Sequence, residues 1–151
     1  MDPLVRVFHV LAAVLLLGNL LMAPFWRKRL ALSGGATGRA TANRTVRLAD
    51  VLFTLPGWVI TLVTGIMLSV RTGWKSGWLG LSMLLFVIWI VVWHVGVLRA
   101  RKAMIARADE AAASGQTPPE LAQHERQWQQ WSYLSAGLVL LVLILMVTRP
   151  F

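Results

Sequence analysis

Residues 51–70 read VLFTLPGWVITLVTGIMLSV, and they lie between Asp50 and Arg71 without a single Asp, Glu, Lys or Arg. A bilayer core about 30 Å thick takes roughly 20 helical residues at 1.5 Å each. The stretch has that length, and its apolar residues occupy every face of a helix rather than one stripe, as those of a membrane span do. Working outward, three more uncharged gaps follow: residues 7–26 between Arg6 and Arg27, 76–98 between Lys75 and Arg99, and 127–148 between Arg126 and Arg149. The expected fold is all-α. It is an integral membrane four-helix bundle, one membrane domain over residues 1–151. The spans are placed at about 7–26, 51–70, 77–98 and 128–148, with connecting loops at 27–50 and 99–127.

Composition agrees. Of 151 residues, 57% are apolar and 14% charged, against about 45–50% and about 25% in soluble domains. Disorder is excluded by the same figures. The chain has no cysteine, which excludes disulfides, thiolate zinc sites, iron–sulfur clusters and cysteine nucleophiles. Span one is longer than the apolar region of a signal peptide, and Arg27-Lys28-Arg29 follows it as a stop-transfer cluster, so it is expected to stay as an anchor.

The net charge of +9 is unevenly placed. Eleven of the fifteen basic residues fall in the first and third loops. The positive-inside rule therefore puts those loops in the cytoplasm and both termini outside. The lipid bilayer is the expected partner, its anionic headgroups facing the basic loops. Nucleic acid is not, because no basic–aromatic binding module accompanies the charge. Trp74 and Trp78 are expected at the outer interface, Trp26, Trp128 and Trp131 at the inner one, and Trp58 and Trp89 deeper, between helices.

The segment Ser33–Asn43, rich in Gly, Ala, Ser and Thr, reads as a flexible crossing. Its glycines make no phosphate loop, since no Gly-Lys-Ser/Thr follows. The second loop, 71–76, is short enough to make spans two and three antiparallel neighbours. Span three is expected to run on as a helix to about Ala113, where Ser114-Gly115 stops it. Thr117-Pro118-Pro119-Glu120 has capping-box spacing and starts the last helix well before its membrane span.

Polar groups inside a bilayer are costly, and each is a candidate for function. Span one carries His9, Asn19 and the kink-forming Pro24. Span two carries Thr54, Pro56, Thr61, Thr64 and Ser69. Span three carries Ser82 and His94, and span four Ser132, Tyr133 and Ser135. Arg47 and Asp50, three residues apart on one helix face, are expected to pair. The same arginine suits an anionic ligand such as a propionate or a lipid phosphate. Pro56 and Gly57 are expected to loosen the first turns of span two. His9 and His94 are the best ligands for haem iron. They sit near opposite ends of their spans, with heights differing by roughly 15–20 Å. One iron is therefore not expected to take both. Asp50 and His94 share the inner level and are expected to hydrogen-bond. No carboxylate relay suggests ion transport.

The order of these signals is similar to that of a known group. Phe8-His9 opening span one, Pro24 before a basic cluster, Arg47 ahead of Pro56 and Gly65, His94 near the end of span three, and the Arg149-Pro150-Phe151 terminus resemble the HemJ-type protoporphyrinogen oxidases of bacterial inner membranes. The stretches LLGNL (16–20) and FTLPG (53–57), with Asp50, resemble a related family of predicted integral membrane proteins with no established function. The HemJ resemblance implies a four-helix multi-pass bundle, haem b as cofactor, and oxidation of protoporphyrinogen IX. It implies His9 as the matching haem ligand, with His94 second and Arg47 toward a propionate. Two charges of that pattern are missing: a lysine early in span three, around Met83, and an Asn-Glu pair near Ser132-Tyr133. Two functions stand at this point. One is a haem-associated redox protein, with a membrane redox partner. The other is a non-enzymatic membrane subunit, assembly factor or small permease of unknown substrate, in which Gly57, Gly65, Gly96 and Gly137 let helices approach within the chain or in a homo-oligomer.

Overall fold

The computed structural model describes residues 3–72, 76–116 and 118–150. Every regular element among them is helical: α1 (Pro3–Leu32), α2 (Gly35–Ala49), a π-helical turn Asp50–Thr54, α3 (Leu55–Thr72), α4 (Gly77–Val92), a second π-helical turn Trp93–Val97, α5 (Leu98–Ser114) and α6 (Pro119–Thr148). They form four rods long and apolar enough to cross a membrane: Pro3–Leu32, Thr37–Val70, Gly77–Ser114 and Pro119–Thr148. Leu, Val, Ile and Phe side chains cover the outside of these rods, among them Phe8, Val14, Val63, Leu84, Val91 and Leu141. In water such a surface would be untenable, and in a bilayer it is the lipid face. The chain is an integral, multi-pass membrane protein with an all-α four-helix fold.

The rods run 30–38 residues, longer than a bilayer core needs. The excess lies at the charged end, where the end of α1, α2, α5 and the start of α6 pack as a continuation of the bundle. Ser33–Asn43 is thus no flexible crossing: α2 begins at Gly35. Its glycines serve a tight helical hairpin. Gly35 has φ +56°, which side-chain-bearing residues rarely adopt. A Cβ on Gly38 would stand 3.0 Å from the Leu30 carbonyl oxygen of α1.

The other helix ends follow expectation more closely. α5 stops at Ser114, and Gly115 takes the left-handed conformation at φ 70°. Pro119 occupies the first turn of α6 and Pro118 is the extended residue before it. Thr117, the first residue of the expected capping box, lies outside the described residues, as do Trp74, the core of the second loop and Phe151. Pro24 is buried inside α1, which continues through it to Leu32. Span two loosens just ahead of Pro56. That ring lacks an N–H and crowds the carbonyl four residues back, and the turn before it widens so that the Leu55 N–H bonds the Asp50 carbonyl.

α1 packs along α2 and α3, α6 along α4 and α5, α1 along α6, and α2 along α5. α3 and α4 make no comparable contact, so spans two and three are not the close neighbours their short loop suggested. Trp58 instead meets His94 edge-on across that seam, with ring centroids 6.1 Å apart. Trp89 is fully buried and donates from Nε1 to Ser135 Oγ at 2.7 Å, tying span three to span four. Trp128 is buried too, inside the bundle rather than on its outer surface. Trp131 lies on Gly96, where any Cβ would collide with its indole. Gly96→Ala is expected to lower stability by about 1–3 kcal/mol through overpacking. Gly80→Ala, whose Cβ would meet nothing within 4 Å, is expected to leave it unchanged. Thermal unfolding in detergent compares the two.

Candidate functional site

Asp50 starts the first π-helical turn and is buried, at 5% exposure. Its Oδ1 accepts from Asn19 Nδ2 at 3.1 Å and from Thr54 Oγ1 at 2.8 Å. Its Oδ2 accepts from the Arg101 guanidinium of α5. Asn19 Nδ2 also donates to Thr54 Oγ1 at 2.7 Å. Three rods therefore converge on one carboxylate. Asn19 and Asp50, singled out from the sequence, are brought together. Arg47 is not Asp50's partner: it faces outward, while Asp50 faces the core. The reason is the packing of α2 on α5, which delivers Arg101 to the carboxylate from the other side.

A second polar cluster lies at the charged end. Buried Arg27 donates from Nε to Asn43 Oδ1 at 3.0 Å and from a terminal nitrogen to Glu125 Oε1 at 2.6 Å. Its guanidinium lies 5.3 Å from the centroid of the Trp128 ring. The arginine read as a stop-transfer charge is an interior pin joining α1, α2 and α6.

The histidines sit elsewhere, on either side of α3. His9 Nδ1 is 2.9 Å from Thr64 Oγ1. That hydroxyl donates to the Ile60 carbonyl at 2.5 Å, so in the Nδ1–H tautomer it accepts from His9, whose ring also bonds the Thr61 backbone. Gly65 makes room for the ring: a Cβ there would stand 3.3 Å from His9 Cε1. His94 is exposed and its Nδ1 lies 2.9 Å from the Ile90 carbonyl. A carbonyl only accepts, so His94 Nδ1 carries a proton in this contact. The expected His94–Asp50 bond is absent, since Asp50 is buried in the core while His94 is on the exposed face of its turn. Gly65 and Trp58 mark the levels of the two imidazoles on α3. Seven residues separate them, about 10 Å of helix, which is less than the sequence spacing indicated. Between them, Trp58 Nε1 and Thr61 Oγ1 are buried without a hydrogen-bond partner. Arg47 precedes Thr64 by about 25 Å of helix, so it shares no site with His9. Pro56 is exposed beside the π-helical turn it induces.

Sequence reasoning missed Arg101, Arg27 and Glu125 as site residues. A signal was present: Trp93, Val97, Ala100, Met104, Ala108 and Ala111 form a buried stripe at spacings of three and four, which marks α5 as a packed helix with Arg101 on its edge. Among the described residues, no three His, Asp or Glu side chains gather as a metal-binding group.

No curated protein and no solved structure matches the chain. A family model does. It is described as a predicted integral membrane protein (DUF2269), the kind of family that the LLGNL and FTLPG stretches resemble, and because it matches residues 3–150, nearly the whole chain, the protein belongs to that family.

Proposed function

We propose that this chain is a redox protein of the bacterial inner membrane that holds haem b through His9, in the manner its HemJ resemblance implies, with both termini outside. The observation that carries the reading is the seating of His9 on α3, with Nδ1 2.9 Å from Thr64 Oγ1 and Gly65 beside the ring. With Thr64 bonded to Nδ1 and Gly65 leaving space for the ring of this half-buried imidazole, Nε2 is the nitrogen that would meet an iron. Metal-ligating histidines are held in this way by their other nitrogen. Bound there, haem would supply one-electron transfer. Arg47 lies about 25 Å of helix before Thr64, so the reading gives it no part in a haem at His9. The missing lysine and Asn-Glu pair argue for haem-based electron transfer rather than the complete oxidase chemistry.

An absorption spectrum of detergent-purified protein from haem-replete cells tests this. A Soret band is expected. It is lost in His9→Ala, and haem affinity falls about 10–100-fold in Thr64→Val, which leaves the imidazole unoriented. Arg47→Ala is expected to match wild type. A wild-type protein without the band, or a His9→Ala variant that keeps it, overturns the proposal. The second reading, a non-enzymatic membrane subunit, draws on Gly18, Gly80 and Gly137, where a Cβ would meet nothing within 4 Å. Those open positions suit a partner helix.

A further inference from the structure

Beside Asp50 lies a void of about 10 Å³ to which all four rods contribute, lined among others by Trp93, Trp128, Ser132 and Ser135. That is room for about one water molecule. Two of its walls carry unmet hydrogen-bond donors: Trp93 Nε1 and Trp128 Nε1 are buried without a partner, and each residue is only 2% exposed. The acceptor side is also incomplete. An ionised carboxylate offers about four lone-pair sites, and Asp50 uses three, on Asn19, Thr54 and Arg101. Ser132 Oγ donates to the Trp128 carbonyl at 2.9 Å and keeps its own lone pairs.

The chemistry of the walls selects the occupant. A cation is disfavoured by the two unmet indole donors of lining residues and by the nearby Arg101. An anion is repelled by the carboxylate. Only a neutral group that both accepts and donates satisfies indoles and carboxylate together, and at this size that group is water. We infer that the void is a binding site for a single water molecule that accepts from the Trp93 and Trp128 indoles and donates to Asp50 and Ser132. It joins the carboxylate of the second rod to the third and fourth rods at the level of both π-helical turns, and it makes no use of His9.

Proton-detected solid-state NMR on protein in lipid bilayers, labelled with ¹⁵N at the indole nitrogens, tests the site. Magnetisation transfer from water is expected at the Trp93 and Trp128 indole N–H signals, assigned by Trp93→Phe and Trp128→Phe. None is expected at Trp89, whose N–H is held by Ser135 Oγ. Ser132→Val fills the space and removes an acceptor, and it should abolish both transfers while the Trp89 signal stays in place. Absence of transfer at both indoles in the wild-type protein overturns the inference. So does transfer that survives Ser132→Val unchanged.

Discussion

Replacing Asp50 with alanine is expected to cost the folded protein about 3–5 kcal/mol, the usual penalty for leaving one member of a buried ion pair without its partner. Arg101 would then hold an uncompensated charge, and Asn19 and Thr54 would lose their shared acceptor. The loss should appear as a lowered unfolding midpoint in detergent, or as a weakened fold by steric trapping in bicelles. Asp50→Asn keeps an acceptor for Thr54 but not the charge, and should fall between. The double variant Asp50→Leu/Arg101→Met is the informative one. It removes both desolvation costs together and should recover most of the stability lost by Asp50→Ala. If the double variant is as unstable as the sum of the two single changes, the pair is not coupled in the way described.

Arg27→Ala is expected to be the next most damaging change, at about 3 kcal/mol, the low end of that range because Glu125 keeps some solvent access. One guanidinium here serves Asn43 and Glu125 from different nitrogens while lying over Trp128. Lysine offers a point charge in place of a planar fork. Arg27→Lys should therefore rescue only part of the loss, in the same unfolding measurement. A lysine variant with wild-type stability would show that charge alone matters at this position.

These two expectations show how far the sequence could be read. The four spans were legible because crossing a bilayer is a one-dimensional requirement, met by the uncharged runs around residues 16, 60, 88 and 138. The stop at Ser114-Gly115 and the start at Pro119 were legible because proline and glycine impose backbone conformations locally. The polar residues Asn19, Asp50 and His9 were also visible, since a polar group in an apolar run stands out whatever its neighbours are. Their pairings were not visible. Arg27 and Arg101 counted simply as loop charges, and a charge near a membrane surface has the same one-dimensional signature whether it faces headgroups or the core. The Gly34–Gly38 region misled for a related reason: glycine permits both a floppy loop and a close helical hairpin, and only the neighbouring helix at Leu30 decides between them.

By itself, then, the sequence determined a multi-pass helical membrane protein with four helices long and apolar enough to span, and which polar side chains sit within them. Tertiary structure alone decided that Asp50 meets Arg101 rather than Arg47, that His9 leans on Thr64, and that the apparent loops extend the bundle. The physical reason is that hydropathy and backbone preference act along the chain. Pairing of buried polar groups depends instead on which helix faces are pressed together, and that follows from packing four rods at once.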